Sequence, residues 1–226
     1  MDTRGASRPG KAWRSRPGTL APNPWGDARR TRIGLLGGSF NPAHAGHAHV
    51  ARRALAALAL DQVWLMVSPG NPLKPRAGMA PLDDRLASAR GIARPPRSIA
   101  TDIERPLRTR YTVDTLAALR RRFRNARFVL LLGADNLAQL PRWRRWRTLA
   151  RTTPIAILPR PGHSRAALHG QAAAVLARHR RRPRALLASP DPRHAGWCLI
   201  PSREVALSAT AIRNARRDGA EHRVAA

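Results

Sequence analysis

Residues 33–47 read IGLLGGSFNPAHAGH. Ile33 to Leu36 is a short apolar run that stops at Gly37-Gly38, the pattern of a buried strand meeting a tight turn. A helix-like stretch opens at about Gly46, with Val50, Ala51, Ala54, Leu55 and Leu58 on one face. The rest of the chain repeats the alternation. Gln62–Ser68 (QVWLMVS) reads as a second strand, Pro81–Ile92 as a helix and Arg97–Asp102 as a third strand. Thr112–Phe123 is amphipathic, with Leu116, Leu119 and Phe123 in helical register. Phe128–Leu132 is a fourth strand, again closed by a glycine, Gly133, and Ile155–Leu158 is a fifth. Ala166–Arg178 reads as helix, Trp197–Ile200 as a short late strand and Ser208–Arg217 as a final helix. This alternation specifies a parallel sheet with helices on both faces. Ligands of such sheets bind beyond the carboxyl ends of the strands, at the switch point. Gly37-Gly38 and Gly133 fall on that edge.

The loop that follows the first strand has the chemistry of an anion site. Gly37 and Gly38 let the backbone turn and approach a phosphate closely. Ser39 and Asn41 offer polar side chains, and Pro42 stiffens the loop. His44 and His47 share a face if the helix begins by about His44, and the helix N-terminus favours negative charge. A single histidine here would read as a cap. Two beside a Gly-Gly turn read as potentially cationic donors to a bound anion. The pattern is neither a Walker loop nor the three-glycine dinucleotide fingerprint. A metal site is the other use of paired histidines, but no third ligand stands nearby.

A second such segment is SATAIR, Ser208 to Arg213. Ser208 is a candidate N-cap. Its hydroxyl, that of Thr210 and the free N–H groups would face an anion, and Arg213, one turn on, could reach it with its planar fork. Read without its companion, this is a capped helix with a surface arginine.

Composition sets the outer bounds. The 226 residues, 43% of them hydrophobic, suit one α/β domain over residues 29–219. Residues 1–28, rich in Arg, Gly and Pro, read as a disordered basic extension, and residues 220–226 as a short tail. There is no apolar run of membrane-spanning length and no signal-like h-region. The single cysteine, Cys198, allows no disulfide framework, so the expected home is the cytoplasm. The formal net charge of +29 attracts polyanions. Only Lys11 and Lys74 of the basic residues are lysine, a bias that makes bulk charge a weak guide to function.

HxGH after a first strand, combined with SxTxIR near the C-terminus, resembles the nucleotidyltransferase superfamily, and within it the bacterial nicotinate-nucleotide adenylyltransferases. The resemblance covers roughly residues 32–217. It implies a single-domain, Rossmann-like doubly wound α/β fold. The implied activity moves AMP from ATP to nicotinate mononucleotide, with Mg²⁺ accompanying ATP and no metal held by the protein itself. NPLKP (Asn71 to Pro75), DIERPLRTRYTVDTL (Asp102 to Leu116), GADNLAQLPRWRRW (Gly133 to Trp146) and ILPRPGH (Ile157 to His163) support the assignment.

By this resemblance His44, His47, Lys74 and Arg213 would be catalytic. Gly37, Gly38, Ser39, Phe40, His44, His47, Gly133, Asp135, Arg160, Ser208, Thr210 and Arg213 would surround ATP, with Asp135 on the ribose. Tyr111 and Thr112 would contact the nicotinate ring and Trp143 would stack on it.

The chain departs from the family in three places. Asn41 stands where Asp is frequent, Ala209 stands where Ser is common, and the chain ends without a further apolar segment after the last helix. Nicotinamide mononucleotide and phosphopantetheine are the alternative acceptors. The reading from a different class is a nucleic-acid-binding protein. It rests on the arginine runs 120–122, 144–145 and 180–182 and on Trp143–Trp146 as an exposed basic-aromatic patch. No specific nucleic-acid motif accompanies them, and no membrane partner is expected.

Overall fold

The computed structural model describes residues 22–23, 25–70, 78–162, 164–188 and 195–202. Within them six parallel strands form one sheet: β1 (Arg32–Gly38), β2 (Gln62–Val67), β3 (Ser98–Thr101), β4 (Arg127–Gly133), β5 (Ile155–Leu158) and β6 (Trp197–Leu199). Their order is β3-β2-β1-β4-β5-β6, the Rossmann-like arrangement. The chain steps outward from β1 to β3, then returns to the other side of β1 with β4. The connections therefore diverge between β1 and β4, and a crevice opens at their carboxyl ends.

Described helices cover both faces: α1 (Ala45–Ala57), α2 (Leu82–Ile92), α3 (Glu104–Leu107), α4 (Thr112–Arg122), α5 (Ala134–Gln139), α6 (Trp146–Thr152), α7 (Ser164–Leu168) and α8 (Gln171–Leu176). Successive strand side chains point to opposite faces, so the apolar runs feed two cores. Ile33, Leu35, Trp64, Met66, Leu130 and Ile157 pack under α4, α5, α6 and α8. Leu36, Val63, Leu65, Val129 and Leu131 pack under α1 and α2. Trp64, Phe123 and Phe128 meet edge to face in the first core, with centroids 5.3–6.1 Å apart.

Some local expectations need correction. The stretch 166–178 is not one helix. Gly170 is extended (φ −79°, ψ 168°) and starts α8 anew, with α7 ending at Leu168. The helices α3, α5 and α6 are too short for apolar periodicity to reveal. At the end of the stretch read as a basic extension, the Asn125 side chain donates to the Ala28 carbonyl (2.8 Å). The final helix expected at Ser208–Arg217 lies outside the described residues.

Candidate functional site

The first surprise is where the chain turns. Gly37 and Gly38 do not turn; they are the last residues of β1. What they contribute is bare backbone at the sheet edge, where a Cβ on Gly37 would meet only Met66 at 3.9 Å. The turn falls on Phe40, which is left-handed (φ 48°) with its ring fully buried. That backbone form costs a bulky L-residue about 1–3 kcal/mol. It persists where surrounding contacts over-determine it.

Those contacts come from residues that pattern reading passes over. Arg85 on α2 is only 3% exposed. Its guanidinium donates to the carbonyls of Ser39 (2.8 Å), Ser68 (2.8 Å) and Ala80 (2.9 Å). Burial lowers its pKa, and no carboxylate pairs with it among the described residues. Asn41 donates to the Gly78 carbonyl (2.9 Å) and accepts from the Ala80 N–H (3.3 Å). An aspartate could accept there but not donate, so the asparagine is adapted to this loop. Ser88 accepts from the Ala43 N–H at 3.0 Å. In sequence, Arg85 differs in no way from a solvated helix arginine.

The two histidines are tied to each other by a reciprocal cap. His44, at the N-cap of α1, accepts the Gly46 N–H on Nδ1 (3.1 Å). His47, at the third helical position, accepts the His44 N–H on its own Nδ1 (3.3 Å). A backbone N–H can only donate, so both rings carry their proton on Nε2. The rings lie 4.0 Å apart between centroids, with Phe40 4.7 Å from His47. His44 is buried, and burial followed by the positive charge of Arg160 lowers its pKa. Both effects disfavour the charged form of His44, against the expectation of a cationic group there. A metal use of the pair is also disfavoured, because both Nδ1 atoms are engaged. Among the described residues no three metal-ligating side chains gather.

On the other side of the crevice β4 runs into α5 with no loop between them. Gly133 is the last strand residue and the N-cap, at ordinary angles (φ −72°, ψ 157°). Its role is space. A Cβ there would run into the Asp135 carboxylate and come within 3.0 Å of Arg160 Nε. Asp135 Oδ1 and Arg160 Nε face each other at 3.5 Å. That is close enough for attraction but too long for a hydrogen bond. Both atoms are buried and make no hydrogen bond among the described residues. Arg160 is anchored through its backbone, whose N–H donates to the Ser164 hydroxyl (2.9 Å).

Tyr111 and Trp143 follow the carboxyl ends of β3 and β4, and both lean, partly buried, on the same core. Tyr111 precedes α4, whose first turn has no side-chain cap, with Thr112 its first helical residue. The Arg144 guanidinium lies over the Tyr111 ring at 4.7 Å, and that of Arg110 at 5.9 Å. Beneath them the carboxyl of Glu104, unmarked in the sequence, is buried and accepts from Thr115 (3.1 Å). Burial raises its pKa, with the Thr115 and Ser68 hydroxyls opposing.

The exposed basic-aromatic patch does not form. Trp146 is 7% exposed and belongs to the core. Arg120, counted in another basic run, bonds the Thr152 carbonyl (2.8 Å) and the Thr153 hydroxyl (2.7 Å). The structure thus brings Gly37, Gly38, Ser39, Phe40, His44, His47, Gly133, Asp135 and Arg160 to the β1/β4 crevice, with Tyr111, Thr112 and Trp143 on the same sheet edge. Lys74, Ser208, Thr210 and Arg213 lie outside the described residues.

The chain is similar to known proteins in sequence and in fold. Residues 35–215 match the family described as Cytidylyltransferase-like. The chain is 55% identical over 199 residues to the protein named "Probable nicotinate-nucleotide adenylyltransferase" of Gluconacetobacter diazotrophicus, covering 88% of this chain and 93% of that one. It is 59% identical over 183 residues to the protein of the same name in Gluconobacter oxydans, covering 80% and 93%. Its fold is similar to that of Plasmodium falciparum nicotinic acid mononucleotide adenylyltransferase complexed with NaAD (TM-score 0.60, 16% identity, 81% and 83% covered). The chain belongs to the Cytidylyltransferase-like family and, within it, to the nicotinate-nucleotide adenylyltransferases.

Proposed function

We infer that this chain transfers the adenylyl group of ATP to the phosphate of nicotinate mononucleotide, forming nicotinate adenine dinucleotide and pyrophosphate in NAD biosynthesis. The observation that carries the reading is the reciprocal cap of His44 and His47 at the β1/β4 switch point. It delivers two imidazoles with their protons on Nε2 beside bare glycine backbone.

In the reaction a phosphate oxygen of the mononucleotide attacks the α-phosphorus of ATP in line. The bond from that phosphorus to the β-phosphate oxygen breaks, and pyrophosphate leaves with the electron pair. The attacking phosphate is already anionic, so no protein nucleophile is required. Catalysis becomes positioning and charge stabilisation. The proposed donors are the Nε2–H groups of His44 and His47, with Lys74, Ser208, Thr210 and Arg213 completing the set. Asp135 and Arg160, facing each other beside Gly133, suit ribose hydroxyls and phosphate oxygens.

Mg²⁺ fits as a companion of ATP. With no ligating cluster among the described residues, phosphate oxygens and water would hold it. It would supply charge neutralisation on the polyphosphate.

For the acceptor, Tyr111, Thr112 and Trp143 offer a flat aromatic surface. The Arg144 and Arg110 guanidiniums over Tyr111 favour a carboxylate over a carboxamide. The expected home is the cytoplasm. No described helix is long and apolar enough to cross a membrane, and the buried Cys198 thiol is pushed up to about 12 by burial, leaving it protonated.

The test is pyrophosphate release from ATP and Mg²⁺ with nicotinate mononucleotide, nicotinamide mononucleotide or phosphopantetheine in separate reactions. Release mainly with the first is expected. Preference for another acceptor overturns the substrate, and no release with any overturns the activity.

A further inference from the structure

Arg85 is the one deeply buried guanidinium of the described residues that touches the site's scaffold without touching an acid. Its three acceptors belong to three separate segments: the turn after β1 (Ser39), the chain just after β2 (Ser68) and the segment leading into α2 (Ala80). An unpaired buried cation is costly, and an apolar residue could fill the same volume. What an apolar residue could not do is bind three carbonyls at once from one rigid plane. The Ser39 carbonyl it holds immediately precedes Phe40, the left-handed residue at the site. Asn41, the next residue, is fastened to the same segment before α2. A strained turn is thus bracketed on both sides by bonds to one neighbouring segment.

We propose that Arg85 is a positioning residue for the phosphate-facing turn. It keeps Phe40 in the left-handed form by clasping the carbonyls of Ser39, Ser68 and Ala80, and it acts on ATP through that turn without touching the nucleotide. The proposal rests on the reading of the β1/β4 crevice as the ATP site. If the clasp relaxes, the turn returns to an unstrained form, and the bare backbone of Gly37-Gly38 and the capped histidines no longer face one ligand together. The acceptor pocket, built on α4 and the segment before α6, is left in place.

Arg85→Lys retains charge and aliphatic stem but loses the fork. Arg85→Ala leaves a hole that guanidinium ion can fill. ATP binding is measured by calorimetry without acceptor, and KM for ATP and for the mononucleotide by pyrophosphate release. For both variants the Kd and KM for ATP are expected to rise about tenfold or more, as for loss of charge-assisted hydrogen bonds, while KM for the mononucleotide stays within about twofold. Millimolar guanidinium is expected to restore part of the ATP affinity of Arg85→Ala and to do nothing for the unaltered protein. If Arg85→Ala fails to fold, Arg85→Lys carries the same comparison. Unchanged ATP affinity in a folded variant overturns the clasp. So do equal losses for both substrates with no rescue, which would mark a merely structural arginine. Failure of the unaltered protein to bind ATP at all removes the reading of the site and the clasp with it.

Discussion

Replacing His47 separates two tasks that one imidazole performs. Its Nδ1 caps α1 by accepting the His44 N–H at 3.3 Å, and its Nε2–H is the proposed donor to the reacting phosphates. The cap bond is long, so its loss belongs at the lower end of the capping range, about 0.5–1 kcal/mol. Loss of ring contact with Phe40 and His44 adds about 0.5–1 kcal/mol. His47→Ala should therefore lower stability by about 1–2 kcal/mol, or roughly 2–8 °C in Tm for a domain of this size. Removing one preorganised donor to developing charge costs about 2.7–4 kcal/mol, or roughly 100- to 1,000-fold in turnover.

His47→Gln places an acceptor at the third helical position, as in a capping box. It should recover about half of the lost stability. Turnover should stay at least about tenfold low, because the imidazole donor is still missing. Thermal melts and initial rates of pyrophosphate release at 25 °C, where all forms remain folded, make the comparison. If Gln restores turnover along with stability, or if Ala retains turnover within about threefold, His47 is a cap and the catalytic reasoning fails.

Four other substitutions probe the rest of the site. Gly133→Ala incurs no backbone strain at φ −72°, yet its Cβ would push Asp135 from Arg160. Loss of one hydrogen bond to a charged group predicts a rise of about 10- to 100-fold in KM for ATP with little change in Tm, and a normal KM would remove Asp135 and Arg160 from the nucleotide site. Trp143→Ala should raise KM for the mononucleotide more than for ATP, and Arg144→Ala should narrow the ratio of kcat/KM between acid and amide acceptors; equal effects on both substrates, or an unchanged ratio, would contradict the acceptor pocket. His44 titrates below its ordinary value of 6.5. The unfolded chain therefore takes up this proton first as pH falls. The stability His44 contributes is present above pH 6.5 and is lost as pH falls through the folded value, so His44→Asn should flatten the acid side of a plot of Tm against pH.

Much of the architecture is legible in one dimension because it is local. Apolar runs such as Ile33–Leu36 and Phe128–Leu132 suit strands buried on both faces, and their alternation with helical stretches selects a parallel sheet covered by helices. The short spacing of His44 and His47 keeps both at the start of one helix, the first as N-cap and the second at the third helical position. Cys198, alone in the chain, decides the absence of disulfides.

Tertiary structure decides what depends on partners distant in sequence. Gly37-Gly38 promised a turn, but pairing with β2 extends the strand through Gly38 and transfers the strain to Phe40. Trp146 promised an exposed aromatic, but α6 turns it into the core. Arg85 and Glu104 look like ordinary helix-surface charges until folding buries them, and Asp135 and Arg160 face each other only when the ends of β4 and β5 come together. A one-dimensional pattern carries period and residue type; burial, a residue's charge partner and the protonated nitrogen of a histidine are set by neighbours that only the folded chain supplies.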